Sequence, residues 1–225
     1  LVRVACPQSM ASEIQSYSEN LIVRPFDGDR FTPNSVATVR ELAVDHDSVV
    51  LGPGLGAAEN TLVAVQEFLG SYDGAAVVDA DALEVVPGVE TDASLIATPH
   101  QGELRAMGGE TAEDWRERTD LVDSFASDLG VTLLVKGRYD VLSDGERTRV
   151  NRTGNPGMTV GGTGDVLAGT VGALAATQDP MAAAAIGAYV TGAAGDRIVD
   201  RRGYGLVATD LLDAIPPVMW GVDDA

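Results

Sequence analysis

The stretch Asn155-Pro156-Gly157-Met158-Thr159-Val160-Gly161-Gly162-Thr163-Gly164-Asp165 crowds four glycines into a short loop that ends in a carboxylate. A small, apolar run over 166–176 follows and reads as a buried helix. A glycine loop entering a helix presents free backbone N–H groups and the positive end of the helix dipole, which together make an anion site. Asp165 is a poor ligand there, because it repels phosphate. It makes sense as a base that takes a proton from a hydroxyl while the N–H groups of Gly162, Thr163 and Gly164 stabilise a phosphoryl group in transfer. The plainer reading is that Asp165 caps the helix, and the loop alone does not separate the two.

Other loops follow apolar runs. Gly52-Pro53-Gly54-Leu55-Gly56 lets a ligand approach the backbone, although turns also need glycine. Asp79-Ala80-Asp81 offers two carboxylates for a Mg²⁺ shell or for hydroxyls, and Asp81 reads more simply as a helix cap. Thr98-Pro99-His100-Gln101-Gly102-Glu103 holds one of two histidines. His100 could bind substrate and Glu103 could reach a phosphate-bound metal through water. The same segment reads as a helix entry, with Thr98 as cap and Pro99 in the first helical position. His46, between Asp45 and Asp47, reads as a solvated surface residue. Lys136, in Lys136-Gly137-Arg138-Tyr139-Asp140, is the one lysine of the chain. A compact ammonium at a strand end suits phosphate oxygens. With the glycine loop downstream, this makes a nucleotide-phosphate site plausible. The P-loop, the protein-kinase glycine loop and the dinucleotide fingerprint are all absent from the sequence.

The chain has 225 residues, 45% of them hydrophobic, enough for one domain with a substantial core. A formal charge of −19 makes nucleic acid and anionic membranes poor partners. No apolar run reaches membrane-spanning length. The abundance of Asp with a single lysine fits a salt-rich cytoplasm, where repulsion is screened. Cys6, the sole cysteine, leaves no internal disulfide or cysteine-based zinc site and reads as buried at a strand end. Position 1 is Leu, not Met, so an earlier segment is expected.

The chain opens in a strand-like run at 1–5, and further strand-like runs at 21–24, 48–51, 75–78, 94–97 and 131–135 alternate with helical patterns at 35–44, 58–69 and 113–129. That alternation predicts an α/β fold with a parallel sheet covered on both faces and ligands at the carboxyl ends of the strands. Runs at 139–143 and 148–151 flank Asp144-Gly145, a hairpin signal. Helices are expected at 166–176, 181–199 and 208–215. No repeat or linker divides the chain, so residues 1–225 are expected to form a single domain.

These motifs occur in order, with Ala208-Thr209-Asp210-Leu211-Leu212 and Ile215-Pro216 near the end. Together they resemble the ADP/ATP-dependent NAD(P)H-hydrate dehydratases of the ribokinase-like superfamily, across essentially the whole chain. The resemblance implies a three-layer αβα sandwich with a mostly parallel central sheet. It also implies a repair reaction on the S epimer of hydrated NADH or NADPH: a hydroxyl is phosphorylated from ADP or ATP, and phosphate is then eliminated. It implies Asp165 as base, with Gly162, Thr163 and Gly164 around the transferring phosphoryl. Gly56, His100 and Asp165 would meet the substrate. Lys136, Gly137, Arg138, Tyr139, Asp140 and Gly164 would meet the nucleotide, with Mg²⁺ on its phosphates and no residue assigned as a direct metal ligand.

Relatives carry a glycine-containing segment before the equivalent of Leu1, and in many microbes an epimerase domain precedes it. A fused epimerase domain, a cytoplasmic location and a homo-oligomer are therefore expected. ADP is the preferred donor, with ATP the alternative. Relatives often have His where this chain has Thr191, a position not expected to be catalytic. Two rivals share the loop and the lysine: a kinase of a vitamin-precursor alcohol that releases its phosphorylated product, and a nucleotide-binding module without catalysis.

Overall fold

The computed structural model describes residues 1–222. Strands β1 (Arg3–Pro7) and β2 (Ile22–Phe26) pair in parallel as a small separate sheet, with α1 (Ala11–Ser16) between them in sequence. Cys6 is buried in β1, as expected of an apolar cysteine on a strand. After α2 (Pro33–Ala43), the chain enters a six-stranded sheet. Its order is β3 (Ser48–Leu51), β4 (Ala75–Val78), β5 (Ser94–Ala97), β6 (Thr132–Val135), β7 (Asp140–Ser143), β8 (Thr148–Asn151). Strands β3 to β6 are parallel, and β6–β7 and β7–β8 are antiparallel. The Asp144-Gly145 turn closes the last hairpin; Asp144 accepts the N–H groups of Glu146 and Arg147.

Strand periodicity sends alternate residues to opposite faces, and the core divides accordingly. Ala76, Val78, Leu95, Ala97, Leu133 and Val135 join one cluster with residues of α3 (Glu59–Leu69), α4 (Gln101–Ala106) and α5 (Trp115–Leu129). Val77, Ile96, Leu134 and Leu142 join a second cluster with α6 (Thr163–Ala175) and α7 (Pro180–Arg202). Burying each Val, Leu or Ile side chain among these contributes roughly 1.5–3 kcal/mol. Helix α8 (Asp210–Trp220) packs on α7 through Leu211, Ala194 and Ile198. The arrangement is three layers, αβα, with the mostly parallel sheet in the middle, as expected.

Three elements depart from the sequence reading. The strand expected at residues 1–5 lies at Arg3–Pro7. Helix α6 starts at Thr163, earlier than its apolar run, because the glycine loop supplies its first turn. Helix α8, expected at 208–215, spans Asp210–Trp220 and runs through Pro216 and Pro217. Among the described residues, no helix is long and apolar enough to cross a membrane.

Candidate active site

The glycine loop is pinned from behind. Asp196 of α7 accepts Gly154 N–H at 2.9 Å and Asn155 Nδ2 at 2.8 Å. Asn155 in turn accepts Gly157 N–H at 3.0 Å and caps the short 3-10 turn Pro156–Met158. Glycines on α7 allow this close docking: a Cβ at Gly192 would sit 2.3 Å from Thr153 Oγ1, and one at Gly195 would sit 2.2 Å from Met158 Sδ. Thr163 Oγ1 shares its proton between the Met158 and Val160 carbonyls, at 2.9 and 3.0 Å. The chain then turns into α6 through Gly162 at φ +90°, a conformation costly for any residue with a Cβ.

The first intrahelical bond of α6 runs from Val166 N–H to the Gly162 carbonyl. The N–H groups of Thr163, Gly164 and Asp165 therefore have no acceptor within the helix. No side chain caps this end. Asp165, in the first turn, is exposed, and its carboxylate has no hydrogen-bond partner among the described residues. The capping role open from sequence is not the one the fold uses.

Facing this helix end are the carboxyl ends of β4, β5 and β6. Asp79, whose side chain is 3% exposed, accepts Lys136 Nζ and Thr98 Oγ1, each at 2.8 Å. Lys136, 21% exposed, also lies 3.8 Å from Glu103 Oε2. A Cβ at Gly164 would stand 3.5 Å from Lys136 Nζ and 4.0 Å from Asp79 Oδ2. The free N–H groups of α6 and the ammonium thus border one space, with Asp165 one residue on. Gly52 is required here for a different reason: its φ is +127°, and a Cβ would fall 1.7 Å from the Asp79 carbonyl oxygen. Gly52→Ala is expected to destabilise the fold by about 3 kcal/mol through strain and a forced shift of β4. Thermal unfolding measures the loss, and an unchanged Tm would refute the close approach.

Two expectations at these ends are corrected. His100, not Thr98, is the N-cap of α4: its Nδ1 accepts the N–H groups of Gly102 and Glu103 at 2.9 and 3.0 Å. Glu103 accepts His100 N–H at 2.7 Å, completing a reciprocal capping box. Thr98 is buried on Asp79 because it prolongs β5, and Lys136 N–H reaches the Pro99 carbonyl beside it. Asp81 does not cap the 3-10 segment Ala80–Gly88, whose N-cap position is Asp79; its carboxylate accepts Gly56 N–H at 2.8 Å. Gly56 and His100 therefore sit on neighbouring loops along the same rim. His46 is half-buried, not fully solvated.

The loop after β6 is braced on both sides. Asp140 accepts Gly137 N–H at 3.0 Å and Asn151 Nδ2 at 2.9 Å. Burial raises the Asp140 pKa, opposed by these bonds and by the charges of Arg118 and Lys136. Arg138 and Tyr139 border a cleft with residues of α5, the Tyr139 ring meets that of Trp115, and Arg118 Nη2 donates to the Tyr139 carbonyl at 2.7 Å. The sequence reading passed over Arg118 and Trp115. Nothing in a helical pattern distinguishes a guanidinium that turns inward to a loop from one that faces water.

Residues 1–217 match a family described as NAD(P)H-hydrate dehydratase. The chain belongs to that family. It is 42% identical over 223 residues to the bifunctional NAD(P)H-hydrate repair enzyme Nnr of Pyrobaculum aerophilum, covering 97% of this chain and 44% of that one. It thus spans less than half of that relative's length. It is 36% identical to the ADP-dependent (S)-NAD(P)H-hydrate dehydratase of Cenarchaeum symbiosum, covering 97% of this chain and 78% of that protein. The fold matches that of the ADP/ATP-dependent NAD(P)H-hydrate dehydratase of Bacillus subtilis, crystallised with ATP and Mg²⁺, with a TM-score of 0.74 at 23% identity. That alignment covers 98% of this chain and 91% of the other. Family membership agrees with the resemblance carried by the glycine, histidine and lysine motifs.

Proposed function

We propose that this chain dehydrates the S epimer of hydrated NADH and NADPH, with ADP or ATP as phosphoryl donor. The observation that carries the reading is the junction of the uncapped α6 N-terminus, the Lys136 ammonium and the unpartnered Asp165 carboxylate. The phosphoryl group lies against the N–H groups of Gly162, Thr163 and Gly164, with Lys136 beside them. Such a site supplies positioning and charge stabilisation, which is most of what phosphoryl transfer asks of a protein. Asp165 takes the proton as the substrate hydroxyl oxygen bonds to phosphorus, and the shortened nucleotide leaves. The ring nitrogen lone pair then expels phosphate, and loss of a neighbouring carbon-bound proton restores the ring double bond.

Substrate contacts fall to Gly56, His100 and Asp165, and nucleotide contacts to Lys136, Gly137, Arg138, Tyr139, Asp140 and Gly164. Among the described residues, no group of three or more His, Cys, Asp or Glu side chains could hold a metal ion. We assign Mg²⁺ to the nucleotide phosphates, with Glu103 in reach through water. It would neutralise phosphate charge there.

The experiment uses hydrated NADH, Mg²⁺ and ADP or ATP in high salt and follows absorbance at 340 nm. A nucleotide-dependent rise supports the reading and identifies the donor, with ADP favoured. Release of a phosphorylated alcohol would instead make the chain a vitamin-precursor kinase, and binding without turnover would make it a regulatory module.

The assembly is read as a cytoplasmic homo-oligomer. An epimerase domain fused ahead of Leu1 is supported by the bifunctional relative. The charge of −19 is read as adaptation to high salt. Self-repulsion of the carboxylates is expected to lower Tm as salt is withdrawn, and addition of molar KCl to restore it. A Tm independent of salt would refute the adaptation.

A further inference from the structure

Ala80 is the only non-glycine among the described residues with a left-handed backbone, at φ +50°. A side chain is disfavoured there, and such strain persists only where the surroundings impose it, chiefly at functional sites. Ala80 lies just beyond the carboxyl end of β4, the strand between β3 and β5. Had the strand continued, Asp79 and Asp81 would share one face of the sheet. The turn at Ala80 separates them. Asp79 reaches to one side, to Thr98 after β5 and Lys136 after β6, each at 2.8 Å. Asp81 reaches to the other, where its Oδ2 accepts the Gly56 N–H of the loop after β3 at 2.8 Å.

Leu55 anchors the middle of that loop. Its N–H donates to the Gly52 carbonyl at 3.1 Å, and its side chain is partly buried against the core. Beyond it, Gly56 is held by Asp81. Gly56 is exposed, so water could satisfy its N–H, and the bond to Asp81 adds little to the stability of the fold. What the bond fixes is where the end of the loop lies. We propose that Asp81 is a positioning residue for the hydrated nicotinamide nucleotide, acting through Gly56 to hold the loop after β3 against the substrate. This rests on the reading of the chain as a dehydratase with Gly56 at its substrate. Asp79, across the same turn, holds Lys136. One strained residue thus sets the spacing between the phosphoryl side of the site and its substrate side.

The test measures turnover of hydrated NADH with Mg²⁺ and ADP or ATP, whichever the parent uses, beside calorimetry of that nucleotide and thermal unfolding. Asp81→Ala is expected to raise KM for hydrated NADH about tenfold, while kcat and nucleotide affinity stay within about twofold of the parent. Asp81→Asn keeps an oxygen that accepts the Gly56 N–H and is expected to hold KM close to that of the parent. Asp81→Glu keeps the charge but shifts the acceptor by one methylene, so it is expected to raise KM as well; it carries the test if the Ala variant fails to fold. An unchanged KM in the folded Ala and Glu variants, Asn no better than Ala, or an equal loss of nucleotide affinity would overturn the positioning role and leave the dehydratase reading intact. A folded parent that does not dehydrate hydrated NADH would overturn both.

Discussion

Asp165→Asn is expected to lower turnover roughly 10²–10⁴-fold, the usual contribution of a positioned general base. Nucleotide affinity and stability are expected to stay close to those of the parent. The physical reason is the isolation of the group. Asp165 is exposed and its carboxylate makes no hydrogen bond among the described residues, so the fold loses no interaction when its charge is removed. Asn also keeps the backbone N–H at the α6 terminus and removes a charge that repels phosphate. Single-turnover assays with hydrated NADH beside ADP calorimetry separate the effects. Near-normal turnover would end the assignment of Asp165 as base; a lowered Tm would show that it supports the helix after all.

Lys136→Met is expected to cost both stability and activity, for separable reasons. Asp79 is nearly inaccessible and holds two polar partners, Lys136 and Thr98. Removing the ammonium leaves a buried carboxylate with one hydroxyl donor. Breaking such a pair costs about 3–5 kcal/mol when both partners are buried, and the partial exposure of Lys136 places the expectation near the lower figure. The double variant Lys136→Met/Asp79→Asn removes the stranded charge while Asn still accepts from Thr98. It is expected to recover most of the lost stability. Activity is not expected to return, because the ammonium beside Gly164 is still missing. Chemical denaturation of parent, single and double variants gives the coupling, and turnover gives the function. Recovery of both in the double variant would make Lys136 only a partner of Asp79; recovery of neither would mean that the pair does not carry the local fold.

Much of this was legible one residue type at a time. Alternating apolar runs and helical periods marked β3 to β6, because a buried parallel strand must be apolar throughout. The Asp144-Gly145 turn marked the final hairpin. The glycine loop before an apolar helix marked the anion site, since free N–H groups follow from any helix start. The lone lysine was conspicuous against a charge of −19.

Residue order alone thus carried the layered α/β class, the family resemblance and the loops that border the site. How these loops combine came from the folded arrangement. Asp79, Thr98 and Lys136 lie far apart in sequence, and they meet because β4, β5 and β6 are parallel neighbours whose carboxyl ends open on one side. Thr98 read as a cap because its local pattern fits one; burial against Asp79 overrode that preference. Asp165 read equally as cap or base, and the unassisted turn at Gly162 left its side chain without a structural task. Arg118 carried no signal at all: its inward course is set by docking of α5 on the loop after β6, a contact between separated segments that no local pattern encodes.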